Sequence, residues 1–310
     1  MVTTLVGLAP AVVLAAAAPA DIVMKNGRLM PESLAAARDG TVYIGTEGEG
    51  LYRARRGETE FSPWIKPAGP SPINVSGVLI DDQGALWACM TARGPGGAVS
   101  SLRRFALPDG RQTGLFQGPA GSGCNDMAVA ASGDVYVTDT QNRRILKLAR
   151  GAAALVPWAN DPRFDFVNGV IAQGDAVFVT STENGGLYRV GIGPAGQAGE
   201  IVHLAAPRAL GRPDGMRALG PGRFLIAEIV SNQAATGPVG RATLATVKGD
   251  RVDYRILESG LDAPCALTVD GRYVLVIEAK KQYHRDPSLI GKDPGPIRAH
   301  FVPLGDIERP

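Results

Sequence analysis

The sequence has few Cys and His residues, which form thiolate and histidine metal sites, and almost no excess of basic residues, which bind polyanions. It holds three Cys and three His in 310 residues, and the spacing of Cys89, Cys124 and Cys265 matches no zinc or redox motif. Its 32 basic and 30 acidic residues leave a formal net charge of +2. This balance argues against a nucleic-acid surface or a polybasic membrane patch. We therefore expect a small-molecule partner, with no nucleic acid and no membrane.

Two common catalytic motifs are also missing. No Gly-x-Ser-x-Gly sequence occurs, so the serine nucleophile elbow of the α/β-hydrolases is not indicated. The Gly-rich stretch at residues 93–97 lacks the Lys-Ser/Thr ending of a phosphate-binding loop and the helix that must follow it.

One apolar run stands out, at the N-terminus. Residues 5–18 are almost all apolar, and Ala18-Pro19-Ala20 fits a small-x-small cleavage site before Asp21. The run is short for a bilayer span, and no Lys or Arg precedes it. We expect residues 1–20 to be a signal peptide and the protein to be periplasmic or secreted; a packed or frayed tail is the alternative. Export would permit one disulfide, but the spacing does not say between which Cys.

Turn-forming residues, by contrast, are abundant, with 40 Gly and 23 Pro. Six segments repeat one pattern, in which two short apolar stretches flank a turn that often contains Asp-Gly or Gly-Asp. Each segment predicts a β-hairpin, and a weaker pair of apolar stretches follows it. Four strands in every 40–50 residues or so are typical of a propeller blade. The sequence therefore predicts an all-β, six-bladed β-propeller with four antiparallel strands per blade, built as a single domain from residues 21–310.

The ends of the chain are expected to close this ring. After the sixth hairpin, residues 297–302 supply a third strand but no fourth. Residues 21–25 precede the first hairpin and are the obvious candidate for the missing strand. Pairing the two segments in one blade would remove exposed sheet edges.

Polar side chains recur at one equivalent position, directly before the predicted innermost strand. Because inner strands converge on one end of the central channel, carboxylates and amides would meet there, which is costly unless a cation satisfies them. Carboxylate and amide oxygens suit calcium, so Ca²⁺, or another divalent cation, is the predicted cofactor. The alternative is that these residues cap turns, which is common for Asn-Gly and Asp-Gly but does not explain a Glu. The six aligned residues are Glu32, Ser76, Asn125, Asn168, Asp214 and Cys265.

Four short motifs surround this position, in the order Pro31-Glu32, Asn125-Asp126, Val167-Asn168-Gly169 and Arg212-Pro213-Asp214-Gly215-Met216. They resemble, in the same order, the ligand motifs of the senescence marker protein/gluconolactonase family of calcium-dependent propeller hydrolases. The resemblance covers nearly the whole chain from residue 21. Paraoxonases and the squid-type phosphotriesterase share the same ring, so the motifs indicate the superfamily better than the substrate.

The resemblance implies roles for individual residues. Calcium would be bound by Glu32, Asn168 and Asp214, and Asn125 would be either a further ligand or a substrate contact. Sugar lactonases of the family carry an Arg two residues before the Asn of the third blade, where this chain has Gly123. We therefore expect a less polar lactone or ester than an aldonolactone.

The predicted activity is calcium-dependent hydrolysis of a lactone or ester. The metal would polarise the carbonyl, and Asp214, or as a second choice Asp126, would activate water. Two alternatives stay open at this point: a binding propeller with structural calcium, and a phosphotriester hydrolase on the same ring. Substrate contacts are predicted at Asn125, Ser76, Cys265 and His284, the last in a long loop at residues 280–296.

Overall fold

Six small sheets arranged around a central channel make up the fold. The structure, a computed structural model, describes residues 18–67, 72–94, 97–230, 239–305 and 307. In that part of the chain, 24 strands form six four-stranded antiparallel sheets. The prediction of a six-bladed β-propeller is therefore confirmed. The predicted leader, apart from residues 18–20, lies outside the described residues.

The first three blades each follow the chain from the channel outward. Every strand pairs with the next strand in sequence, as in a meander. Blade one contains β2 (Pro31–Ala36), β3 (Val42–Thr46), β4 (Gly50–Ala54) and β5 (Ser62–Ile65). Blade two contains β6 (Ile73–Ile80), β7 (Leu86–Gly94), β8 (Gly97–Phe105) and β9 (Gln112–Gln117). Blade three contains β10 (Cys124–Val129), β11 (Val135–Asp139), β12 (Arg144–Leu148) and β13 (Val156–Asn160).

The last blade closes the ring with the chain's two ends. Strand β1 (Ile22–Met24) pairs with β24 (Ile297–Pro303), with Ile22 opposite Ala299, so the predicted closure is confirmed. Blades four to six contain β14 (Val167–Gln173), β15 (Ala176–Ser181), β16 (Leu187–Ile192) and β17 (Ala198–His203); β18 (Pro213–Gly220), β19 (Arg223–Glu228), β20 (Gly240–Lys248) and β21 (Arg251–Leu261); and β22 (Pro264–Asp270) and β23 (Tyr273–Glu278), which β24 and β1 complete.

The hydrophobic core is divided into layers between adjacent blades. Tyr43 of blade one packs in one cluster with Leu86 of blade two, and Phe178 of blade four contacts Phe224 of blade five. Since each blade is covered on both faces, its second strand is almost wholly buried; β11 and β15 are examples. This stacking holds the inner strands rigidly around the channel.

A disulfide links the second and third blades. It joins Cys89 of β7 to Cys124 of β10, while Cys265 is a buried free thiol. This assigns the pairing that the spacing left open. An oxidising compartment would preserve such a bond, and export stays a prediction. No helix within the described residues is long and apolar enough to cross a membrane.

Candidate functional site

A bulge in every inner strand presents the aligned residues to the channel. In β2 the register runs from Pro31 to Ser33 and leaves out Glu32, and in β18 it leaves out Asp214 and the glycine after it. The same irregularity interrupts the other four inner strands at the equivalent place. A bulge re-aims a side chain and leaves it outside the ladder. The six-fold equivalence is thus confirmed, but these residues lie inside the inner strands and not before them, because pairing resumes on both sides of each bulge.

Strained backbone flanks the ring in three neighbouring blades. The residues two positions before Asn168, Asp214 and Cys265 have φ angles of 59°, 50° and 50°, respectively, although none of them is a glycine. Left-handed backbone of this kind costs about 1–3 kcal/mol per residue and concentrates at functional sites. The three residues are Phe166, Arg212 and Ala263.

A lysine from blade six lies between the two ring carboxylates. The ammonium nitrogen of Lys281 is 2.9 Å from Glu32 Oε2 and 3.2 Å from Asp214 Oδ2. The three side chains expose only 8%, 13% and 10% of their surface, respectively. Blade six lies between the blades that carry the two carboxylates, and its ring residue, Cys265, has no side-chain oxygen. Lys281 supplies a charged group at this place.

The turn that carries Lys281 is anchored on both sides. The backbone N–H of Ala279 donates to Ala263 O, and the Lys280 ammonium donates to Pro294 O at 2.7 Å. Lys280 itself has left-handed backbone, with φ 50°. The next residues form a short helix, α1 (Gln282–Arg285), whose Gln282 amide donates to Asp262. The ammonium is therefore held in place by contacts outside the ring.

Burial and charge work against each other in this cluster. Burial raises the pKa of Glu32 to about 7; the Lys281 ammonium opposes this rise, and a hydrogen bond with the neighbouring Glu47 carboxyl adds to it. The pKa of Asp214 is also raised, by burial first, while Lys281 and an amide hydrogen bond from Asn168 oppose the rise. Burial alone would lower the pKa of Lys281, but Asp214 and Glu32 outweigh it and the pKa is raised, so the lysine stays charged.

The ring as it is arranged does not fit calcium. The Lys281 ammonium already takes up one oxygen of each carboxylate, so a cation drawn to both carboxylates would be brought against its positive charge. Two unit charges about 4 Å apart repel by roughly 4 kcal/mol at an effective dielectric constant near 20, and calcium carries twice that charge. Asn168 directs its amide nitrogen toward Asp214 and Thr182. Among the described residues, no group of three or more His, Cys, Asp or Glu could hold a metal.

The two asparagines of the ring contact threonines that directly follow the second strands of their own blades. Asn125 Nδ2 donates to Thr140 Oγ1 at 2.8 Å, and that hydroxyl donates to a backbone carbonyl of blade four. Asn168 Nδ2 lies 3.3 Å from Thr182 Oγ1, which donates to a carbonyl of blade five. Asn168 belongs to the carboxylate cluster through Asp214. No contact with Lys281, Glu32 or Asp214 is seen for Asn125 in the described structure, so its role as ligand or substrate contact stays a prediction.

Asp126, the second candidate base, forms an ion pair with Arg217 inside the channel. Its Oδ2 accepts a hydrogen bond from Arg217 Nη1 at 2.8 Å, and Oδ1 accepts from a backbone N–H. Arg217 also donates to Ser33 Oγ and Val78 O, so it crosses the channel from blade five to blades one, two and three. The pKa of Asp126 is raised by burial, against the opposing effect of Arg217.

The remaining predicted contacts are placed as follows. Ser76 Oγ donates to Cys124 O at 2.8 Å, and Cys265 Sγ donates to Pro31 O at 3.3 Å, so both side chains link neighbouring blades. Burial raises the pKa of the Cys265 thiol well above its usual range. His284 lies on α1, where its Nε2 is buried without a partner among the described residues, and burial together with nearby arginines lowers its pKa. Substrate binding by these three residues stays a prediction.

Sequence reasoning missed three residues of the site: Lys281, Glu47 and Arg217. Glu47 directly follows β3, just as Thr140 follows β11, and each contacts the ring residue of its own blade. The position directly after the second strand therefore recurs as a contact of the ring, and this recurrence is visible in the sequence. Lys281 comes three residues after the end of β23 and breaks the pattern, so only the three-dimensional turn reveals its place.

Comparison with known proteins supports the fold and nothing narrower. No protein-family model matches the chain, and no curated protein matches its sequence. A gluconolactonase from Xanthomonas campestris shares the architecture with a TM-score of 0.61 and 16% identity, over 89% of this chain and 88% of that one. Virginiamycin B lyase from Staphylococcus aureus gives 0.57 and 14%, over 83% and 94%. A chain of a nidogen/laminin complex gives 0.57 and 16%, over 78% and 87%.

Proposed function

We propose that this protein hydrolyses a small, weakly polar lactone or ester at the ring end of the channel. The observation that carries the proposal is the ammonium of Lys281, held between the Glu32 and Asp214 carboxylates. A cation and two carboxylates kept together with little solvent contact provide an electrophile and a base within a few ångströms. The gluconolactonase likeness supports this choice, since the same fold carries that activity elsewhere.

The proposed mechanism uses the N–H group of the Lys281 ammonium that does not donate to a carboxylate. Lys281 has three N–H groups, and two of them donate to Glu32 and Asp214 in the described structure. The third is available to the carbonyl oxygen of the substrate and would stabilise the oxyanion. Asp214 accepts the proton of a water that adds to the carbonyl carbon. The C–O bond to the alcohol then breaks, the proton passes to the leaving alkoxide, and the product is a hydroxy acid, or an acid and an alcohol.

Two positions beside the asparagines indicate the class of substrate. A Cβ added at Gly123 would meet only Asp139 Oδ1, at 3.8 Å, so this place is open and carries no donor for sugar hydroxyls. The equivalent place in the next blade holds Phe166, an exposed residue with 45% of its surface accessible. An open site next to an exposed aromatic favours an apolar or aryl substituent.

The function is tested by assaying the purified protein on lactones, aryl esters and phosphotriesters, each with added calcium and with chelator. We expect turnover of at least one uncharged lactone or ester. Exclusive turnover of phosphotriesters would move the activity to the alternative class. No turnover anywhere would favour a binding propeller and overturn the proposal. The chelator arm also tests the calcium dependence predicted from the ring.

Phe166 should set the preference for apolar substrates. Phe166→Asn removes the exposed ring, and Asn adopts left-handed backbone more readily than Phe does. We expect kcat/KM for an aryl or alkyl substrate to fall by roughly tenfold, mainly through KM. Leu115→Asn is the matched control, because Leu115 is equally exposed, at 45%, but lies on the outer strand β9. Equal effects of the two variants would remove Phe166 from the substrate site.

A further inference from the structure

We propose that Lys281 is a built-in cation that takes the place of a metal ion, so that this ring works without calcium and becomes a calcium site when the ammonium is removed. The inference concerns the charge balance of the ring and is measured by binding. It shares the Lys281 contact with the proposed function, but calcium binding tests it directly, whereas turnover of the substrate panel tests hydrolysis.

Lys281 lies between the two ring carboxylates. Glu32 comes from blade one and Asp214 from blade five, and the Lys281 nitrogen contacts one oxygen of each from the blade between them. A divalent ion bridging these blades would compete with the ammonium for the same two carboxylates. The lysine therefore occupies the point at which the two carboxylates converge.

The ammonium is fixed before any ligand arrives. Only 6% of the Lys281 residue is exposed, and the turn that carries it is bound by Ala263 O on one side and by the Lys280–Pro294 contact on the other. Moving the lysine out to admit a metal would separate the ammonium from both of its carboxylate partners. Buried charges are tolerated when they are paired, and here the protein supplies the partner itself.

The channel contains a second buried pair of the same kind. Arg217 pairs with Asp126, so among the described residues this carboxylate also has a protein cation as its partner. Buried carboxylates of the channel are thus met by cationic side chains, as Glu32 and Asp214 are by Lys281.

The test is calcium titration by calorimetry together with thermal unfolding, on the wild type and on Lys281→Met. The wild type should give no binding heat, no change in Tm with millimolar calcium and no loss of activity in chelator. Lys281→Met keeps the apolar stem and removes the charge. It should unfold at a lower temperature and regain several degrees when calcium binds with a stoichiometry of one.

Two further variants make the test specific. Lys281→Gln offers an amide to both carboxylates, so it folds more readily if Lys281→Met does not, and it should also gain calcium binding. Lys292→Met removes an exposed ammonium from the same loop and should gain none. One calcium ion bound by the wild type at the ring would overturn the proposal. So would the absence of calcium binding in both Lys281 variants.

Discussion

Asp214→Asn is expected to lower kcat by about 10²–10⁴ while the protein remains folded. Asn has the same size and keeps a carbonyl that can accept the hydrogen bond of Lys281, but it cannot take a proton from water. Asp214 already sits beside the ammonium at 3.2 Å and receives the Asn168 amide, so the loss falls on chemistry and not on the architecture of the ring. Steady-state kinetics on the best substrate of the panel, with circular dichroism for the fold, measures it.

The matched control is Asp165→Asn. Asp165 lies in the connection to β14, pairs with Arg143 at 2.8 Å and has a side chain that is 43% exposed, so its charge lies outside the buried cluster. It should leave kcat unchanged. Asp126→Asn addresses the second candidate base, and by this reading the folded protein keeps most of its kcat. Wild-type kcat in Asp214→Asn would refute the base assignment, and collapse in Asp126→Asn would transfer it.

The architecture was predictable because a propeller repeats itself. Six hairpin patterns at blade spacing, and one strand missing from the last blade, led to six sheets and to the pairing of β1 with β24. Aligning the repeats also found the six bulge positions, since each blade uses its bulge at the same point. The predicted start of each inner strand was wrong. A bulge leaves no recognisable sequence pattern within a single strand, so Glu32 and its equivalents were expected just outside the strands that contain them.

The chemistry of the ring was harder to predict, because its decisive contacts join residues far apart in sequence. Alignment shows which residues face the channel, but not what neutralises them. Lys281 meets Glu32 across 249 residues, and Arg217 meets Asp126 across 91. Neither cation lies at the ring position itself, so carboxylates without visible partners suggested a metal. Lys281 comes from a turn where the repeat is broken, whereas Arg217 is a charged residue within the regular ladder of β18.

The second large effect is expected from the channel's other ion pair. Arg217 is only 8% exposed and donates to Asp126, Met216 O, Ser33 and Val78 O, which joins four of the six blades. Asp126 is also buried, with 4% of its surface exposed. Removing one partner of a buried pair leaves an uncompensated charge, which is far more costly than replacing both partners.

Arg217→Met should therefore lower the free energy of unfolding by about 3–5 kcal/mol, measured by urea denaturation at neutral pH. Arg212→Met is the matched control in the same blade, because Arg212 pairs with Glu183 at the surface, where such pairs contribute about 0–1 kcal/mol. Adding Asp126→Asn to Arg217→Met should restore part of the loss, since the carboxylate no longer has to be buried unpaired. If the two arginine variants are destabilised equally, or the double variant is worse than the single one, Arg217 is not the counter-charge that holds the channel together.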